Sequence, residues 1–195
     1  MIYVDERKKQ QGFTLVEVLL SAGISAIIST IILGLVIQGS NIWQSVTSQS
    51  DLRSVARNAL NYMSQELRNT TRASTENPSP NIAIPSKTNN RSIDFYLPLD
   101  IDDNGFIVDV LGKTEWDKSN KIQYQYIPGL KQLRRLEKGH QHIIANEVSD
   151  IRFEDNSINS ALKNNELRIT LNLSRSISGQ KEVSEALTAV VKLRN

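Results

Sequence analysis

Cysteine is absent from the 195 residues, histidine occurs only twice, and aromatic residues make up 6%. Without Cys there is no disulfide framework, no thiolate nucleophile and no Cys-ligated zinc site, and the absence suits any redox compartment. Charge of one sign is lacking too: 23 Lys and Arg stand against 21 Asp and Glu, a net charge of +2. That balance excludes nucleic-acid binding through a broad basic face, and so few aromatics offer little for base stacking. No nucleic-acid partner is expected. The 9 Gly are dispersed rather than gathered into a phosphate-cradling loop. No G-x-S-x-G occurs and neither His has a triad context, so the chain is not expected to be an enzyme. Its length suits one domain, or one domain with an appendage.

The apolar residues that are present are unevenly distributed. From Val18 to Ile37, 20 consecutive residues include no Asp, Glu, Lys, Arg or His and no Pro. At about 1.5 Å per residue the run spans about 30 Å, the thickness of a bilayer core. Ahead of it lies a polar leader, residues 1–12, with Arg7, Lys8 and Lys9. The positive-inside rule keeps that end in the cytoplasm and exports the residues after Ile37, a single-pass inner-membrane topology. After the run, Gln38-Gly39-Ser40-Asn41-Ile42-Trp43 forms no A-x-A-like cleavage site, so a signal anchor is one reading. Glu17 complicates it, because a carboxylate at the bilayer centre costs about 2.5 to 3.5 kcal/mol and such residues mark a function with a partner. The plainer alternative is an interfacial Glu favoured by the positive end of the helix dipole. Small residues recur at four-residue spacing along the run, Ser21, Ser25 and Ser29 on one line and Ala22, Ala26, Thr30 and Gly34 on the next. Such stripes let membrane helices approach closely, or reflect ordinary membrane-helix composition.

The string Lys8-Lys9-Gln10-Gln11-Gly12-Phe13-Thr14-Leu15-Val16-Glu17-Val18-Leu19-Leu20 closely resembles the signal of type IV prepilins and type II secretion pseudopilins. The resemblance implies cleavage between Gly12 and Phe13 by prepilin peptidase, a membrane aspartic peptidase, and N-methylation of the new Phe13 amine. It also implies that Glu17 pairs with the Phe13 amine of a neighbouring subunit during assembly. Major pilins of this kind usually have Pro where Gly34 stands, which points to a minor subunit. The segments Arg57–Arg68, Leu133-Arg134-Arg135 and Val190–Asn195 look like the J-type pseudopilins of type II secretion and the related W-type minor pilins. The implied partners are other minor pilins or pseudopilins and an inner-membrane assembly platform, with the subunit ending at a filament tip. An uncleaved single-pass anchor displaying an extracytoplasmic binding domain is the alternative.

Helical periodicity continues past the membrane. Trp43, Val46, Leu52, Val55, Ala56, Ala59, Leu60, Met63 and Leu67 recur at three- and four-residue steps, which predicts one helix from about Thr14 to about Ala73. The division expected is therefore leader 1–12, membrane helix 13–37, amphipathic helix 38–73, linker loop 74–90 and an exported β-rich region 91–195. From Arg91 the period becomes two, in Ile93/Phe95/Leu97, Ile122/Tyr124/Tyr126, Ile151/Phe153, Leu167/Ile169/Leu171/Leu173 and Leu187/Ala189/Val191/Leu193. Turn signals fall at Asn104-Gly105, Pro128-Gly129, Lys138-Gly139 and Ser178-Gly179. The expected fold is α+β and pilin-like, a long N-terminal helix packed on an antiparallel sheet.

One motif suggests a metal. Asp100-Ile101-Asp102-Asp103-Asn104-Gly105 fits the opening of a calcium loop, with Asp100, Asp102 and Asn104 as ligands. Its twelfth position is Leu111 rather than the bidentate Glu of an EF-hand, leaving Asp103 and Asp109 as substitutes. A hairpin turn at Asn104-Gly105 between Leu97 and Phe106 explains the Gly without an ion and is the expected reading, so no cofactor is expected. His140 and His142 read as solvated loop residues, too few ligands for zinc.

Overall fold

A computed structural model describes residues 14–70, 82–83, 90–108, 111–177 and 181–193. The chain divides into two compact units, Met1–Gln44 and Ser45–Asn195. One helix, α1, spans Leu15–Arg68. It ends a few residues before the expected Ala73, with Asn69 N–H bonded to the Glu66 carbonyl at 3.1 Å.

From Val18 to Ile37 α1 carries no charged residue on any side, and its Leu, Ile and Val side chains are at least half exposed from Leu15 to Ile37. A helix with apolar side chains all round and no charged face suits lipid rather than water. By length and composition it can cross a membrane, as a single-pass anchor requires.

In the second unit α1 becomes one-sided. Ser48, Leu52, Ala56, Ala59, Leu60, Met63 and Leu67 are buried, Val55, Ser64 and Glu66 are half-buried, and the other residues between them face out. The buried stripe begins at Ser48, and Trp43 and Val46 before it are exposed. The strands are β1 (Ile82–Ala83), β2 (Ser92–Phe95), β3 (Ile122–Ile127), β4 (Gln132–Glu137), β5 (His140–Ala145), β6 (Val148–Glu154), β7 (Glu166–Ile177) and β8 (Lys181–Lys192). They form two antiparallel sheets, β1-β2-β3-β4-β5 and β6-β7-β8, where the alternation alone suggests one. The break falls between Ala145 and Val148: Glu147 takes φ +61°, and the Val148 N–H turns to the Lys131 carbonyl at 2.9 Å. β1 lies inside the segment expected to be a loop and pairs Ile82 with Phe95.

Every alternating row named from the sequence points inward. Ile93, Phe95, Ile122, Tyr124, Ile151, Phe153, Leu167, Ile169, Leu171 and Leu173 are fully or almost fully buried and share one core with Leu52, Met63 and Leu67 of α1. Each such side chain contributes about 1.5 to 3 kcal/mol on leaving water. The unit is α+β with a pilin-like layout. Of the turn signals, Lys138-Gly139 has positive φ at both residues, 48° and 81°, as a two-residue hairpin requires. Pro128–Leu130 makes a single 3-10 turn between β3 and β4. β5 is not among the expected strands: its exposed first half, with His140 and His142, gives no apolar alternation, so both imidazoles sit on a strand rather than in a loop.

Candidate functional site

Two places carry the residues singled out from the sequence, the start of α1 and the excursion between β2 and β3. Gly12 and Phe13 lie outside the described residues. Glu17 is the third residue of the helix, and Thr14 immediately precedes it. The Thr14 N–H donates to Glu17 Oε2 at 2.9 Å and the Thr14 hydroxyl to the same oxygen at 3.0 Å. In return the Glu17 N–H donates to Thr14 Oγ1 at 3.3 Å. This is a reciprocal capping box, in which a Thr and a Glu three residues apart satisfy donors that the first helical turn leaves unpaired. A Thr cap of this kind stabilises a helix by about 1 kcal/mol. The pattern T-x-x-E stands in the sequence as a capping signal, although the charge on Glu17 is its more conspicuous feature there. Both Thr14 donors converge on one carboxylate oxygen, Oε2.

The excursion between β2 and β3 is closed by the pair Pro98↔Trp116, with a second pair Val108↔Thr114 further out. No hairpin joins Leu97 to Phe106, and Phe106 is 68% exposed. Instead the side chains organise the loop. Asp100 Oδ1 accepts the Asn104 N–H at 3.1 Å, and Asp100 Oδ2 accepts the Gly105 N–H at 2.7 Å. Asn104 donates its amide to Asp102 Oδ2 at 2.8 Å, and its Oδ1 takes the Phe106 N–H at 2.8 Å. Gly105 sits at φ +84°, and Asp103 nearby at φ +58°.

Asp100, Asp102 and Glu115 bring carboxylate oxygens within 4.8 Å of one another, close enough that they are the residues a cation at this loop would use. Glu115 lies ten residues beyond Gly105, outside any loop register, and sequence reasoning missed it. Its Oε2 accepts the Ile101 N–H at 2.6 Å. Asp103 is not in the group, and Asp109 lies outside the described residues. Calcium takes six to eight oxygens, and here the carboxylates already serve loop N–H groups. Calcium and EDTA are therefore expected to give superimposable melting curves for residues 45–195, while Gly105→Val lowers the melting temperature by penalising positive φ. A calcium-dependent rise abolished by Asp102→Ala would overturn this.

No match is found among curated proteins or solved structures. Residues 7–33 do match the family model described as the prokaryotic N-terminal methylation motif. The matched segment takes in Gly12, Phe13 and the Thr14–Glu17 box, implies processing by a prepilin peptidase and pilus-type assembly, and marks the chain as a type IV prepilin-like protein.

Proposed function

We propose that the protein is a minor pilin or pseudopilin, a structural subunit rather than an enzyme, which primes or caps a type II secretion pseudopilus or a type IV pilus. In this reading the leader stays cytoplasmic, peptidase cleaves after Gly12, Phe13 becomes N-methylated, and the rest is exported on a single-pass inner-membrane anchor. The subunit then enters the filament tip through an assembly platform, beside other minor subunits. The observation that carries it is the Thr14–Glu17 box inside the matched motif. Before assembly, Thr14 offsets part of the cost of a carboxylate entering lipid. On assembly, the Glu17 carboxylate receives the Phe13 amine of a neighbour, which has an ordinary pKa of about 7.7 to 8.0 and is largely cationic at neutral pH. Truncating either partner leaves the other charge uncompensated.

Glu17→Val tests this. Membrane insertion is expected to survive or improve, since a costly charge is removed, and recovery in sheared filaments to fall at least tenfold against the unmodified chain. Full complementation in the same assay would sink the charge-pair mechanism. Mass spectrometry of the N-terminus tests processing directly: methyl-Phe13 supports it, and Met1 or Ile2 on protein from its native host favours the uncleaved anchor.

A further inference from the structure

Asn104-Gly105 is the one Asn-Gly step in the chain, and both residues are exposed on the excursion between β2 and β3. An asparagine followed by glycine carries a reaction of its own. The glycine nitrogen, with no Cβ beside it to hold the side chain off, can attack the asparagine Cγ. The N–Cγ bond forms, the nitrogen's proton passes to a solvent base, the Cγ–Nδ2 bond breaks, and Nδ2 leaves as ammonia with a proton from water. A second water opens the five-membered imide at either carbonyl, leaving aspartate or isoaspartate at position 104. The balance is ammonia lost and water gained, with no oxidant or enzyme. Bulk does not prevent it here: Gly105 sits at φ +84° with open space where a Cβ would stand.

Hydrogen bonding opposes it instead. The Gly105 N–H, whose proton must leave for the nitrogen to attack, donates to Asp100 Oδ2 at 2.7 Å. Withdrawing that proton to solvent would set negative charge on the nitrogen against the half-buried Asp100 carboxylate, in a group where Asp102 and Glu115 oxygens already lie within 4.8 Å. Like charges at such separations repel. The Asn104 amide is tied at both atoms, Nδ2 to Asp102 Oδ2 and Oδ1 to the Phe106 N–H, each at 2.8 Å. Its rotation is therefore fixed rather than free to sample the geometry of attack. We propose that Asn104 is a latent self-modification site, held unreacted by the folded loop with Asp100 as the residue that restrains it. Conversion is one-way. Exchanging the amide for a carboxylate takes away the donor to Asp102 and adds a negative charge beside three others. Isoaspartate also lengthens the backbone by one carbon between the Asn104 and Gly105 N–H groups, both of which Asp100 accepts. The loop cannot then re-form as it was, so the product marks each copy whose excursion has opened.

The test uses the full-length protein in detergent, held for days in mildly alkaline buffer and then digested with trypsin. Cleavage after Arg91 and Lys113 isolates residues 92–113, in which mass spectrometry reads the exchange of NH2 for OH and electron-transfer fragmentation identifies isoaspartate. The native chain is expected to convert at least tenfold more slowly than the same chain in guanidinium chloride. Asp100→Ala is expected to convert at least tenfold faster than the unmodified chain under native conditions, with isoaspartate among the products. Asn156, which precedes Ser157 in a different loop and falls in the peptide of residues 153–163, reports unfolding of the whole domain and is expected to convert equally in both chains. Equal rates for the native and denatured chain would show that the fold does not restrain Asn104. An unchanged rate in Asp100→Ala, or a matching rise at Asn156, would remove Asp100 as the local restraint. A slower rate in Asp100→Ala would overturn the proposal by making Asp100 the base that takes the Gly105 proton.

Discussion

A Gly12→Val chain is expected to keep its leader, remain anchored, and accumulate at the mass of the unprocessed precursor. The backbone at a scissile bond must lie against the catalytic carboxylates of an aspartic peptidase, and Gly12 presents no Cβ to hold it away. Val adds a β-branched side chain that restricts the extended strand and crowds the cut. Because no alternative Gly lies between Met1 and Phe13, the effect is close to all-or-none: mature protein should fall at least a hundredfold on immunoblots, and methyl-Phe13 should disappear from N-terminal mass spectra. Gly12→Ala, with one methyl, should slow processing without abolishing it. Normal maturation of the Val variant would place the cleavage elsewhere and remove Phe13 as the counter-ion for Glu17.

Legibility in the sequence divides by the range of the interactions involved. Local patterns are legible: the apolar run that forms the first part of α1, the period-two rows of β2, β3, β6, β7 and β8, and the Gly139 turn. The start of α1 is equally local, since T-x-x-E closes on itself over three residues. Three features are not legible. β5 has a polar exposed half that breaks the alternation. Glu115 reaches Asp100 and Asp102 only because the Pro98↔Trp116 pair folds the excursion back. The division into two sheets depends on Glu147 adopting positive φ, which side-chain periodicity does not encode. The contact that fastens α1 to the five-stranded sheet is longer in range still. Glu66 and Arg135 are 69 residues apart in the sequence, and neither local stretch shows that they meet.

Arg135→Ala is expected to cost about 3 to 5 kcal/mol of stability, the range for breaking a buried ion pair, measured by urea unfolding of residues 45–195. Arg135 is buried, with its side chain 8% exposed. It donates from Nε to Glu66 Oε1 at 3.0 Å and from Nη1 to Glu137, while the Tyr124 hydroxyl donates to Glu66 Oε2. Asn120 completes the set through Glu137 Oε1 at 2.6 Å. Burial alone would lower the Arg135 pKa, but the hydrogen bonds to Glu66 and Glu137 overcome it and hold the guanidinium charged above its usual range. Removing it leaves Glu66 and Glu137 without their shared cation, with only the Tyr124 and Asn120 donors remaining, whereas Glu66→Ala leaves Arg135 still paired with Glu137 and should cost less. The pH dependence comes from the same partners. Hydrogen bonds from Arg135 and then Asn120 hold Glu137 below the usual carboxylate range. Its contribution is therefore present above the unfolded value, about 4.3, and is lost as pH falls through the lower folded value. Burial, then the bond to Glu66, raises the Tyr124 phenol above its ordinary range. Its contribution is present below the unfolded value, about 10, and is lost as pH rises toward the folded one. The network's own contribution should thus be flat from about pH 5 to 9 and fall away outside that window. In Arg135→Ala the acid limb of this difference should shrink, because Glu137 has lost its main partner. An unchanged acid limb, or a cost below about 1 kcal/mol, the value of an exposed pair, would show that Arg135 does not fasten α1 to the sheet.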